Sequence, residues 1–161
     1  MNTSNIALSG NKDVDLLILD KLDDKSLINF CFVNQNANHL CQIDSFWRNR
    51  LIKKYGQESL EYKSGTWKQF YLSILKYWND DMDTAMRNAA RGGHQELVDF
   101  FISKGANDWN YGMYGAAQGG HKDLVIFFIS KGAYNWHSGM RKAAKGGHQD
   151  LVDFFQQKLN K

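Results

Sequence analysis

The sequence predicts an all-α chain, and three observations carry that prediction. There is no proline among the 161 residues. Strands and turns are therefore little punctuated, and helices joined by Gly-marked turns are the natural reading. Apolar residues recur at spacings of three and four through much of the chain, the period of an amphipathic helix. Third, one stretch is written three times. Ala89-Ala90-Arg91-Gly92-Gly93-His94 returns 27 residues later as Ala116-Ala117-Gln118-Gly119-Gly120-His121, and after another 27 as Ala143-Ala144-Lys145-Gly146-Gly147-His148. After each His come an acid, Leu-Val and a Phe pair. Self-similarity at a fixed period is the signature of a stacked-repeat architecture.

Composition sets bounds. With 43% apolar and 14% aromatic residues the chain can fill a core. A net charge of +3 does not by itself imply nucleic acid; a basic stripe would be needed. Met1 to Lys12 is polar, lacks the apolar core of a signal peptide and reads as a disordered or loosely held tail. No apolar run approaches the ~18 residues a membrane span requires. A soluble, cytoplasmic chain, monomeric on its own, is expected. Cys31 and Cys41 lack CxxC spacing and read as buried free thiols of an intracellular protein, with a pairing left open.

In chain order, Asp13 can cap a short helix to Leu22 whose Val14, Leu17, Ile18 and Leu22 share a face. Asp23-Asp24 breaks and caps again. Lys25 to Asn34 forms a second helix, apolar most of the way round through Leu27, Ile28, Phe30, Cys31 and Val33. Such a helix is covered on two sides, by its own domain or by a partner. A polar break at Asn34–Asn38 follows. Asp44 can cap a third helix with Phe46, Trp47, Leu51, Ile52 and Tyr55, stopped by Gly56.

The order Val14…Ile18-Leu19…Leu22-Asp23…Ser26-Leu27…Val33-Asn34…Leu40…Asp44…Phe46-Trp47 resembles the F-box motif. The resemblance implies a small helical bundle that docks on the Skp-type linker subunit of a cullin-RING ubiquitin ligase. Linker binding would then fall to Val14, Leu17, Ile18, Leu22 and Leu27. The family usually opens with Leu-Pro, where this chain has Gly10-Asn11. The competing reading is a bundle that only caps the repeats.

Gln57 to Ser64 is a polar connector. Thr66 or Ser64 caps a helix with Trp67, Phe70, Tyr71, Ile74, Leu75 and Trp78 on one stripe. It would join the two parts and cover the first repeat, as stacks of repeats require. Within each repeat a short first helix, such as Met113–Gln118, leads through the Gly-Gly turn into a second helix. His121 opens that helix, Leu124, Val125, Phe127, Phe128 and Ile129 form its buried face, and Gly132 closes it. The pattern Met-x-x-Ala-Ala-x-Gly-Gly-His-x-Asp-Leu-Val-x-Phe-Phe-Ile-Ser-Lys-Gly-Ala is similar to the ankyrin repeat. That repeat is ~33 residues with a Thr-Pro-Leu-His opening. The shorter step implies that the β-hairpin fingers are reduced. Trp78 to Ala89 is longer than Trp109 to Ala116, as if the first repeat carried four extra residues. Gln156-Gln157 replaces the earlier Ile-Ser, as a terminal cap would, so the chain is expected to end there by design. The succession of segments also resembles proteins of giant DNA viruses of amoebae. The expected domains are a tail (1–12), an F-box-like domain (13–56), a connector and capping helix (57–78) and three ankyrin-like repeats (79–108, 109–135, 136–161).

Comparing the three copies separates scaffold from candidate site. Met86/Met113/Met140, the Ala pairs, Gly-Gly-His, Leu-Val and Phe-Phe stay fixed, and Trp109 matches Trp136. What varies is free to serve a partner: Arg87/Tyr114/Arg141, Asn88/Gly115/Lys142, Arg91/Gln118/Lys145 and Asn110/His137, with Tyr111 beside them. These basic and aromatic positions lie on or beside the short first helix, the concave face in ankyrins; they suit an acidic protein surface, and a charged face that is merely solvated is the alternative. Histidines one repeat apart, about 10 Å on helix-packing distances, cannot converge on one metal ion. No nucleophile–base pair and no phosphate loop is legible. The expectation is a non-enzymatic adaptor, without cofactor or metal, that holds a target on its repeats and engages a ubiquitin ligase through its N-terminal bundle. The alternative is a plain scaffold.

Overall fold

The computed structural model describes residues 6–78 and 81–160. Residues 1–5 of the expected tail, 79–80 at the start of the expected first repeat, and residue 161 lie outside the described residues. The described chain is all-helical, with no strand. It divides into two compact units, residues 1–71 and 72–161, and the division falls inside a helix.

In the first unit, α1 (Lys12–Asp20) and α2 (Asp24–Val33) are followed by the single-turn α3 (Gln35–Asn38), a 3-10 turn (Leu40–Gln42), α4 (Asp44–Tyr55), a second 3-10 stretch (Gln57–Tyr62) and the first part of α5 (Trp67–Tyr77). Asn11, not Asp13, caps α1, accepting from the Asp13 and Val14 amides. The tail expectation fails at its last residues. The Ser9 amide and hydroxyl donate to the Asp15 carboxylate at 2.6 and 2.8 Å, and the Gly10 amide donates at 3.1 Å. Where the family places Leu-Pro, this chain uses a turn at Gly10 (φ 82°) and a cap at Asn11.

The inward register of α1 differs from the expected face. Leu19 and Asp15 point inward, with Leu22 just beyond the helix, while Val14 and Leu17 are 45% and 66% exposed. Asp23 caps α2 as expected, accepting from Ser26 N. Asp44 does not cap α4. Its carboxylate instead accepts from the Lys68 amide of α5 at 3.1 Å. Thr66 and Gln69 cap α5 reciprocally, Gln69 N donating to the Thr66 hydroxyl and Thr66 N to the Gln69 amide oxygen. Leu19, Leu27, Leu40, Trp47, Leu51 and Tyr71 form the centre of this unit, each at most 1% exposed. Trp47 donates its indole N–H to the Cys41 carbonyl at 2.9 Å. Cys31 and Cys41 are not free thiols: a disulfide joins the last turn of α2 to the 3-10 turn.

The second unit is built from helix pairs α6–α7 (Met82–Arg91, Gln95–Ser103), α8–α9 (Trp109–Gly119, Lys122–Lys131) and α10–α11 (Trp136–Gly146, Gln149–Leu159). The first helices stack, α6 on α8 on α10, and each second helix packs on its own partner. The first helices are longer than expected. They start at Met82, Trp109 and Trp136, one 27-residue step apart, and are capped by Asp81, Asp108 and Asn135. Met82 therefore takes the Trp109 position, and the first repeat carries no four-residue insertion. Trp78 follows α5, and its ring lies 6.3 Å from that of Phe101.

The Gly-Gly turns behave as expected at their second residue, with φ of 77°, 81° and 79° at Gly93, Gly120 and Gly147. The first glycine answers a different need. A Cβ on Gly119 would collide with the Arg91 carbonyl oxygen, and one on Gly146 with that of Gln118. Adjacent first helices thus approach backbone to backbone. The repeated His fills the resulting step: His121 packs against Gly93 of the preceding turn and its ring bonds the Arg91 carbonyl at 3.2 Å, while His148 packs against Gly120. His94, in the first copy, instead meets the Tyr77 hydroxyl at 3.0 Å.

Candidate functional site

Two surfaces carry the sequence-derived candidates, one in each unit. On the first unit, Val14 and Leu17 face outward and Ile18 is half-buried. Leu17 borders a groove of about 390 Å³ between α1 and α4, lined by Leu16 and Phe46 and rimmed by Asp13, Asp20, Asn49 and Lys53. Leu22 (8% exposed) and Leu27 (0%) lie inside the bundle and present no surface. Their part is to hold α1 and α2 in place. Two apolar residues absent from the sequence-derived set are more exposed than any in it: Phe32 at 83% and Val33 at 75%, at the end of α2. The signal for them was the all-round apolar character of that helix, which its own unit covers on one side only.

A buried polar node sets the shape of this surface. Arg50 of α4 is 8% exposed. Its guanidinium donates to the Asp20 and Leu22 carbonyls, at 3.1 and 2.5 Å, and to the Asp24 carboxylate at 2.9 Å. One side chain thereby closes the open C-terminal end of α1 onto the start of α2. Burial pushes the Asp24 carboxyl up, but donors on Lys54, Tyr71 and Arg50 outweigh it and hold Asp24 below the usual carboxylate range. Burial, reinforced by Asp24, pushes the Tyr71 phenol up. All of these groups are mutually satisfied, as a buried charge requires, so the node is structural.

On the second unit, spacings of three and four set Thr84/Arg87/Arg91, Tyr111/Tyr114/Gln118 and Ser138/Arg141/Lys145 in matching rows on the stacked first helices. Arg87, Tyr111, Tyr114, Gln118 and Lys142 are partly exposed; Arg91, Arg141 and Lys145 are exposed. Among the described residues, none of the five cations forms an ion pair. The Arg87 guanidinium lies over the Tyr111 ring at 4.8 Å and reaches its hydroxyl at 3.4 Å. Arg87 Nε and Gln118 Oε1 are buried with no hydrogen-bond partner.

Asn110 and His137 do not belong to this surface in the same way. The Asn110 side-chain oxygen accepts from the Tyr134 and Asn135 amides, both at 3.0 Å. One repeat earlier, Asp83 accepts from Asn107 and Asp108 at 2.7 and 2.8 Å. The position is a joint between repeats, and His137 is its third copy. Comparing Asp83 with Asn110, both short acceptors, would have shown this from sequence. Among the described residues, no group of three His, Cys, Asp or Glu side chains is placed to hold a metal ion. No helix there is long and apolar enough to cross a membrane.

Residues 16–49 match the family model of the F-box domain. The chain is in that respect an F-box-containing protein, and the match runs from the second half of α1 through α2 to the first half of α4. F-box domains bind Skp-type linker proteins and support an adaptor role in SCF ubiquitin ligases, typically without enzymatic activity. No curated protein and no solved structure matches the chain.

Proposed function

We propose that this chain is a substrate adaptor. Its F-box unit engages the Skp-type linker of an SCF-type ubiquitin ligase, and its second unit, an ankyrin-type solenoid with reduced fingers, holds the target. The observation that carries the reading is the coincidence of the F-box match with solvent-facing apolar side chains on α1 and α2. A monomeric bundle gains nothing from leaving Leu17, Phe32 and Val33 in water unless a partner covers them. The docking set is Val14, Leu17 and Ile18, extended by Phe32 and Val33, with Leu22 and Leu27 as internal supports. The ankyrin reading is supported by two-layer stacking and by a connector, Lys104 to Asp108, too short for a hairpin. The resemblance to giant-virus proteins makes the ligase a host one, met in the host cytoplasm.

Capture of the purified linker subunit tests the reading. Wild type is expected to retain it, and Leu17→Asp and Phe32→Asp to lose it while keeping their helical circular dichroism. Both side chains are exposed, so neither change empties the core, whereas Leu27→Asp would unfold the bundle. No retention by wild type, or equal retention by both variants, rejects the adaptor and leaves a bundle that caps the repeats.

A further inference from the structure

The two layers of the second unit differ in charge. The first helices carry Arg87, Arg91, Arg141, Lys142 and Lys145 against one acid, Asp83, which is occupied as a joint. The second helices carry five acids, Glu96, Asp99, Asp123, Asp150 and Asp153, against three lysines, Lys122, Lys131 and Lys158. The cations are also unevenly placed along the stack. They stand on the first and third repeats, and the middle repeat offers Tyr111, Tyr114 and Gln118 instead. Neighbouring helices lie 8–10 Å apart, so the two cationic rows are separated by roughly 16–20 Å. An extended polypeptide covers that distance in about five or six residues.

We propose that this face binds an extended acidic segment of a target protein, with carboxylates at two points about five or six residues apart and an apolar or aromatic residue between them. The inference rests on the reading of the second unit as the target-holding one. The carboxylates meet Arg87 and Arg91 at one end and Arg141 and Lys145 at the other. The central side chain lies on Tyr111 and Tyr114. A nucleic acid fits less well, because its charge is continuous and the middle row offers none.

The test uses the full-length chain and labelled peptides of about ten residues, long enough to span three rows. One has Asp-Glu pairs flanking a central Phe; a second has Lys in place of the acids; a third probe is a single-stranded oligonucleotide of equal charge. The acidic peptide is expected to bind, to weaken as salt is raised and to be the tightest of the three. Arg141→Glu with Lys145→Glu, both at exposed positions, is expected to weaken it about tenfold, or about 1.4 kcal/mol. Tyr114→Ala is expected to weaken it at any salt concentration. No binding at about 1 mM peptide, equal binding of the Lys peptide, tighter binding of the oligonucleotide, or an unchanged affinity in the double variant overturns the proposal. Linker capture is read on the same samples. Peptide failure with capture intact rejects this inference alone, and the reverse rejects the ligase reading alone.

Discussion

At the scale of single residues, the backbone contacts between repeats demand the most. A Cβ on Gly115 would run into the Arg87 carbonyl oxygen, and backbone on both sides leaves no side chain to give way. Gly115→Ala should cost about 1–3 kcal/mol in denaturant unfolding. Lys142, the same repeat position one step on, already bears a side chain, so Lys142→Ala should stay within about 0.5 kcal/mol. Asp24 gives a pH dependence with a definite sign. Its carboxyl lies below the ordinary value of 3.8, so it contributes stability at neutral pH that is lost as pH falls through its folded value. Unfolding measured from pH 7 down to pH 3 should show a loss for wild type that Asp24→Asn flattens, the variant being weaker at pH 7. The fixed residues of the repeat were legible because three copies could be set against each other. The Arg50 node was not, because its partners Asp20, Leu22, Asp24 and Tyr71 are spread over three helices with no periodic relation.

At the scale of elements, helix identities followed from apolar spacing, and faces did not always follow with them. In α1 the run Leu16-Leu17-Ile18-Leu19 is apolar on every side, so periodicity cannot tell which side turns inward. The packing of Leu19 and the tether on Asp15 decide it. The start of α5 is the opposite case, since the Thr66…Gln69 pair is a local signal and local geometry honours it. The link between α2 and the 3-10 turn was undecidable from sequence, because Cys31 and Cys41 stand ten positions apart and only the fold brings their Cα atoms to 5.9 Å. Closing so short a loop should contribute about 3 kcal/mol. A reductant should lower the unfolding free energy of the wild type by that much and leave that of Cys31→Ser with Cys41→Ser unmoved. The proposed adaptor role places the chain among cytosolic reductants, which keep most thiols reduced, so linker capture should be measured with the reductant present.

At the scale of the whole molecule, the two surfaces lie on separately compact units, and the proposed roles divide along the same line. Leu17→Asp should abolish linker capture without changing affinity for the acidic peptide, and Arg141→Glu with Lys145→Glu should do the reverse. Measuring both activities on each variant checks this; loss of both in either variant would mean that the roles are not separable. The two units part inside α5, whose unbroken apolar stripe carries no mark of a boundary in the sequence.

The joint at Asp83 and Asn110 has a consequence on a longer timescale. Each of the first two 27-residue segments carries an acceptor, Asp83 or Asn110, together with the two backbone amides at its own end that lead into the following helix. A duplicate of residues 109–135 placed in tandem would find both halves of its seam already written. Unequal recombination could then lengthen or shorten the chain by whole units with no new junction to evolve, so that variation in reach arises as a change in copy number.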